Sequence, residues 1–406
     1  MMSRPQGQLD ASEETLVDLL QTCLNNTAVI IVDGVDECKD SESFITSLLQ
    51  LSLTCIPRIL ILSRINVPRL QRTVRSESRL PLPKPQLSLD IHRFCDRELR
   101  ELVDDEILPD LAPEELEHLA DHLVNGADGM FLWARLMMEF LRSPALSQQS
   151  RIRTITEINF PEGLEKMYNR ILLLISQSGM TAHNLATRIF TWLVYQAMPM
   201  STRQTRQALA IDGIWTSGDK SEDIEEFENA AIMACRGLVE LVPISSLSPS
   251  SRTLKFIHLT VRETLTPADP PGTHEDMSLK QDLIEVPQLT IANLSLGSCC
   301  LRQLIYHSPW EPLSGRFHES ISTVQLASTF PFTDYAAVYW MYHLARIVIP
   351  SSKIIGQNER VEKHFEAAFH DFTNNLQRFL KNAKAITAWL EAFSLWRLNS
   401  VAILIG

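Results

Sequence analysis

The hydrophobic pattern of the chain opens with a helical period and then switches to strand. Leu16, Leu19, Leu20 and Leu24 follow Asp10 and Glu13 at helical spacing, predicting a capped helix over 10–24. Next comes an uninterrupted apolar run, Val29 to Val32, rich in β-branched residues, which predicts a strand buried on both faces of a parallel sheet. Ser41–Leu53 returns to helical spacing through Phe44, Ile45, Leu48 and Leu49, and Pro57 closes it. A second apolar strand, Arg58 to Ser63, completes a right-handed strand–helix–strand unit. Pro81, Pro83 and Pro85 predict a loop over 76–86, with a short edge strand at Leu87–Leu89. Asp90 then caps an amphipathic helix from Ile91 to Ile107.

Beyond Pro109 the pattern is helical to about residue 200. Helices are predicted at 113–124, broken by Asn125-Gly126, at Met130–Leu141, at Gly163–Ser176 and at Ala182–Gln196. Two further helices, Thr202–Ala210 and Glu222–Arg236, precede apolar runs at Leu238–Ile244 and Thr253–Ile257 that flank a Ser/Pro loop. Helices followed by a hairpin predict a winged helix. Its second helix is acidic, SEDIEEFENAA, which disfavours a DNA reader. His258 follows the wing and opens a helix, Leu259–Leu265, as either a packed histidine or a ligand contact. The stretch TPADPPGTH is the clearest linker. Helices follow at Leu289–Ile305, Tyr335–Ile347, Val361–Leu380 and Ala383–Leu398, with Trp310, Trp340, Trp389 and Trp396 as packing residues between them. The apolar ending SVAILIG has no polar cap, which predicts continuation into a larger array.

A length of 406 residues predicts two to four domains. The net charge of −12 and the absence of a long basic run argue against a nucleic-acid surface. The seven cysteines show no C-x-x-C spacing, and neither a signal peptide nor a bilayer-spanning run is present, so a cytoplasmic protein with reduced thiols and no membrane span is expected.

The candidate chemistry lies where the first strand ends in acid. Asp33, Asp36 and Glu37 fall at its C-terminal edge, the rim at which open α/β sheets bind ligands. There a first carboxylate can hold magnesium and a following acidic pair can polarise a water aimed at a γ-phosphate; the alternative is a buried strand with a solvated turn. Arg64, at the tip of the second strand, is placed to read phosphate oxygens or to sit in solvent. His118 and His122 have a zinc-compatible spacing without a third ligand nearby, which favours a solvated helix face.

The segments DGVDEC, LILSR, NGADGMFLWARLM, GLEKMYNRIL, FIHLTVRETL and DYAAVYWMYHLAR, in this order over roughly residues 25–400, together resemble the fungal NACHT-type STAND NTPases, relatives of the NOD-like receptors. The resemblance implies an α/β plus mostly α architecture: a partial P-loop-type nucleotide-binding domain (1–108), a helical domain (109–200), a winged helix (201–266), a linker (267–278) and a second helical domain (279–406). Asp33 then corresponds to the Walker B magnesium acid, Asp36 and Glu37 to the water-activating pair, Arg64 to the γ-phosphate sensor, and His258 to the winged-helix contact with the β-phosphate of ADP. The implied cofactors are ATP or ADP with magnesium. The implied partners are proteins, including further copies of the chain.

The departure is the phosphate cradle. A P-loop needs G-x-x-x-x-G-K-[ST], and no Gly-Lys pair occurs anywhere in the chain. Only 32 residues precede Asp33, so the expectation is a truncated or degenerate member that leans away from catalysis. Two other readings stay open. One is a non-enzymatic helical protein-interaction scaffold. The other is a metal-dependent hydrolase using the acids with a histidine.

Overall fold

Two of the apolar runs meet as a parallel pair: β1 (Val29–Asp33) lies beside β2 (Arg58–Leu62), in register from Val29 opposite Arg58 to Asp33 opposite Leu62. They belong to the first of two compact units, Met1–Pro83 and Lys84–Gly406, in a computed structural model. The structure describes residues 28–38, 40–55, 58–63, 67–157, 163–214, 224–245, 248–266, 286–307, 321–347 and 359–403, with residues 20, 22, 313, 315, 316 and 319. The predicted helix over 10–24 and the TPADPPGTH linker fall almost wholly outside them.

Helix α1 (Ser41–Cys55) connects the two strands, and a short α2 (Pro68–Thr73) follows the second. Because strand side chains alternate, Val32 and Ile61 turn one way, into a small core formed by Val35, Ile45 and Val67 with Leu49 and Leu70. The other face carries Val29, Ile31, Leu60 and Leu62, exposed by 60%, 65%, 51% and 46%. This corrects the expectation of burial on both faces. An apolar run shows what each face prefers, but only a neighbouring element can cover it. Arg79 binds the carbonyl oxygens of Gln71 and Val74, and the proline-locked stretch after it leaves Leu80 and Leu82 exposed.

The second unit begins with α3 (Lys84–Asp104), which contains Leu87–Leu89, so the predicted edge strand is a helix. Pro85 sits in its first turn, where no amide hydrogen is needed, and Ile91, Cys95, Leu99 and Leu102 form its buried stripe. Helix α4 (Pro113–Ala127) runs through Asn125-Gly126; Gly126 is buried, and the helix ends instead where Asp128 adopts a left-handed conformation. Helices α5 (Phe131–Leu141), α6 (Gln148–Thr156), α7 (Leu164–Gln177) and α8 (Met180–Tyr195) follow. Buried Arg151 on α6 donates to the carbonyl oxygens of Leu141, Ile107 and Ser143 at 2.6, 3.2 and 2.7 Å, tying the turns after α3 and α5 to α6.

Helices α9 (Thr202–Ile211) and α10 (Ile224–Cys235) lead into an antiparallel hairpin, β3 (Val239–Ser245) and β4 (Ser248–Phe256), and then α11 (Leu259–Leu265). The last helices are α12 (Leu289–Tyr306), α13 (Thr323–Thr329), α14 (Thr333–Ala345), α15 (Glu359–Lys381) and α16 (Ala383–Ile403). Gly297 lets α12 approach α15, since a Cβ there would lie 2.9 Å from the ring of Phe372. Trp340, Phe379 and Trp389 meet edge to face between α14, α15 and α16. One continuous core links these elements.

The seam between α8–α9 and α12–α14 carries a set of polar pairs within the core. The Asp212 side chain, only 4% exposed just past α9, pairs with Arg188 of α8 and, at 2.5 Å, with Arg302 of α12, which reaches Asp371 of α15 at 3.1 Å. Gln204 donates to the Asp334 carboxylate at 2.8 Å. Deeper in the seam, His343 is fully buried; its Nδ1 lies 2.8 Å from the Asn293 side-chain oxygen and its Nε2 lies 3.1 Å from the Tyr335 hydroxyl, which accepts the Ala197 amide.

Burial raises Asp334 to about 6, and burial, aided by Arg346, lowers His343 to about 4. Asp334 resists ionisation in the fold, so its contribution to stability is complete below its ordinary 3.8 and is lost as pH rises towards 6. His343 resists protonation, so its contribution is complete above its ordinary 6.5 and is lost as pH falls towards 4. The two slopes oppose each other over one window. Relative to the parent chain, Asp334→Asn is expected to make stability rise more steeply with pH across that window, and His343→Gln to make it fall. Each difference should approach ~2 kcal/mol in urea titrations at a series of pH values.

Candidate functional site

The acidic turn is built by a change of backbone rule at the end of β1. Asp33 is the last strand residue, and Gly34 then takes φ 70° and ψ 36°, a left-handed conformation that costs a residue with a Cβ about 1–2 kcal/mol. Its amide donates to the carbonyl oxygen of Leu62 at 3.1 Å, closing the turn onto the tip of β2. A single 3₁₀ turn, Val35–Glu37, follows; Val35 is buried in the small core and anchors it. Asp40 accepts the amide of Ser43 at 3.0 Å and so caps α1, while Glu42 pairs with Arg72 of α2 at 2.9 Å.

Asp33, Asp36 and Glu37 therefore share one turn at the C-terminal edge of a parallel pair, with Ser63 just past the end of the partner strand. Strand alternation puts Asp33 on the exposed face with Ile31, and Asp36 is half-buried. Arg64 lies outside the described residues. Asp33 and Asp36 offer hard oxygen donors of the kind magnesium takes, together with the oxygens of a bound phosphate. Among the described residues, no group of three or more His, Cys, Asp or Glu side chains is gathered as a metal cage. His118 and His122 stand 5.9 Å apart, ring to ring, on α4, with His118 exposed.

His258 belongs to the second unit. It is the N-cap of α11: its Nδ1 accepts the Thr260 amide at 3.2 Å and lies 2.8 Å from the Thr260 hydroxyl. That hydroxyl is 2.7 Å from the hydroxyl of Tyr168, a buried α7 residue whose phenol is pushed up by burial. Val261 and Leu265 bury the other side of α11. Neither Thr260 nor Tyr168 is marked as a partner by sequence alone. The available hint is the His-x-Thr spacing, which places a second polar side chain in the first turn of a helix opened by histidine.

No family model matches the chain. It is 22% identical, over an alignment of 404 residues covering 95% of its length, to the vegetative incompatibility protein HET-E-1 of Podospora anserina. The chain spans about a quarter of that relative, 26% of its length. Among the described residues no helix is long and apolar enough to cross a membrane.

Gly34→Val is expected to weaken the closure of the acidic turn, and Gly34→Asn to be tolerated better, because Asn enters the left-handed region more readily. Hydrogen exchange read by mass spectrometry should show protection of residues 29–33 and 58–62 falling about tenfold in the valine variant. Equal protection in the parent and both variants would show that the turn does not depend on this conformation.

Proposed function

We propose that the chain is the core of a NACHT-type STAND signalling switch with an incomplete nucleotide site, acting through domain packing and self-association in an incompatibility or cell-death-like pathway. Likeness to a vegetative incompatibility protein along nearly the whole chain carries this reading. The parallel strand pair that ends in an acidic turn supports it. In this reading residues 1–108 are the partial nucleotide-binding domain, 109–200 the first helical domain, 201–266 the winged helix and 279–406 the second helical domain.

Asp33 is assigned as the magnesium-site acid, Asp36 and Glu37 as the pair that orients water, Arg64 as the γ-phosphate sensor and His258 as the contact to the β-phosphate of ADP. The acids suit a magnesium–nucleotide complex in chemistry. The lysine and glycine loop that neutralises the phosphates has no counterpart among these 406 residues. This set supports contact with a nucleotide, not hydrolysis. A non-enzymatic interaction scaffold is the second reading. The exposed apolar face of β1 and β2 favours it, since uncovered apolar surface marks a place where partners bind.

Calorimetric titration of the chain with Mg·ADP and Mg·ATP should give weak binding, with Kd on the order of 1 mM, no release of phosphate, and loss of affinity in Asp33→Asn. Light scattering should show the mass rising with protein concentration. Micromolar binding with steady phosphate release would overturn the incomplete site. Absence of nucleotide binding, together with partner binding unchanged in Asp33→Asn and Asp36→Asn, would leave the scaffold.

A further inference from the structure

We infer that the open face of the β1–β2 pair is a self-complementary surface on which a second copy of this chain docks face to face. This rests on the self-association proposed above and names the surface that carries it.

Three residues of each strand point to that face: Val29, Ile31 and Asp33 from β1, and Arg58, Leu60 and Leu62 from β2. The parallel register sets them in three rows, Val29 beside Arg58, Ile31 beside Leu60 and Asp33 beside Leu62. Four exposed apolar side chains are thus framed by one cation and one anion, on different strands and at opposite ends. The two charges mark the ends of one diagonal, and Ile31 and Leu60 sit astride its midpoint. Neither Arg58 nor Asp33 has an ion-pair partner among the described residues.

A diagonal of opposite charges is its own complement. A twofold axis that lies in the plane of contact and crosses the diagonal at a right angle exchanges its ends, so each Arg58 faces the Asp33 of the second copy. One symmetric arrangement then meets both charges twice over and covers the four apolar residues of each copy. With strands about 4.8 Å apart and a rise of about 3.3 Å per residue, the diagonal leans roughly 20° from the strands, so the strands of the two copies cross roughly 40° from antiparallel. Facing sheets pack at about 30° and about 10 Å apart, a gap that an arginine reaching towards an aspartate closes. An axis along the strands would instead set Arg58 beside Arg58 and Asp33 beside Asp33, which like-charge repulsion rejects.

Four apolar side chains offer on the order of a few hundred Å² per copy, against about 800 Å² in a standard interface, so the dimer is weak and concentration-dependent. Asp33 is also the acid assigned above to magnesium. The cross-pair therefore belongs to the chain free of metal and nucleotide.

The test is sedimentation equilibrium of the full chain without metal or nucleotide, where a Kd on the order of 10–100 μM is expected. Arg58→Glu leaves two negative corners and Asp33→Arg two positive ones, so each alone should dimerise about tenfold more weakly. Mixed in equal amounts, the two variants should associate as well as the parent, since each supplies the charges that the other lacks. Leu60→Lys, at the centre of the patch, should leave the chain monomeric over the same concentrations. If either charge variant fails to fold, the double variant Arg58→Glu/Asp33→Arg, which exchanges the two signs, is expected to dimerise like the parent and decides together with Leu60→Lys.

A parent chain that associates while Leu60→Lys and the charge variants match it overturns this surface and leaves self-association standing. A parent that stays monomeric throughout overturns both. Should it stay monomeric and Leu60→Lys also lower its melting temperature, the face is covered from within the chain, as by the apolar stripe predicted over 10–24, and the inference falls.

Discussion

Helix α8 sets the terms for the second unit, because its C-terminal half is buried on several sides. Leu185, Ala186, Ile189, Phe190, Trp192, Val194 and Tyr195 are all buried, and a helix that buries so many positions must be packed on several sides. The surrounding elements are α7, α10, α11, α12 and β4. Trp192 meets Phe332, Tyr335 and His343 edge to face, so α14 is fixed against the same helix. Burial of α8 draws chain segments far apart in sequence into one core, and every polar group in that core must then find a partner.

That requirement explains the character of the seam beside it. Arg188 lies on the one polar strip of α8 and meets Asp212, which Arg302 also holds. Buried ion pairs of this kind add little net stability, because desolvation offsets their attraction, but a wrong arrangement is costly. They specify how α8, α9 and α12 align. His343 and Asp334 act in the same way: each is held in an unusual protonation preference by burial, and each has its hydrogen bonds met by Asn293, Tyr335 or Gln204. The His258 cap is a smaller version, in which Nδ1 accepts the Thr260 amide and the Thr260 hydroxyl lies between that nitrogen and the hydroxyl of Tyr168 on another helix.

The first unit is governed by a different balance. Among its described residues Val35, Ile45 and Val67 form a small buried cluster, and the first of these is the anchor of the acidic turn. A two-stranded sheet with one covered face is marginal by itself. The turn that carries Asp33, Asp36 and Glu37 is held by buried Val35 and by the left-handed conformation of Gly34. In the second unit His258 rests on a large core, which keeps the cap and its hydrogen-bonded neighbours in place.

Periodicity determined most of the helices, since a 3.6-residue apolar stripe survives whatever packs against it; the helices from Leu289, Glu359 and Ala383 begin within two residues of where the pattern places them. It also determined the parallel pair of strands and the acids at their edge. Short helices at Pro68–Thr73, Gln148–Thr156 and Thr323–Thr329 are not legible, because, unlike Leu259–Leu265 with Leu259, Val261 and Leu265, each offers few apolar positions to show a period. The helix through Asn125-Gly126 was misread for a related reason: a buried glycine can remain helical when its neighbours leave no room for a turn. Tertiary structure alone decided which sheet face is covered, where Arg188, Asp212 and His343 find partners, and that Tyr168 reaches Thr260. Those outcomes are set by the meeting of segments far apart in the chain, and local sequence carries no record of which segments meet.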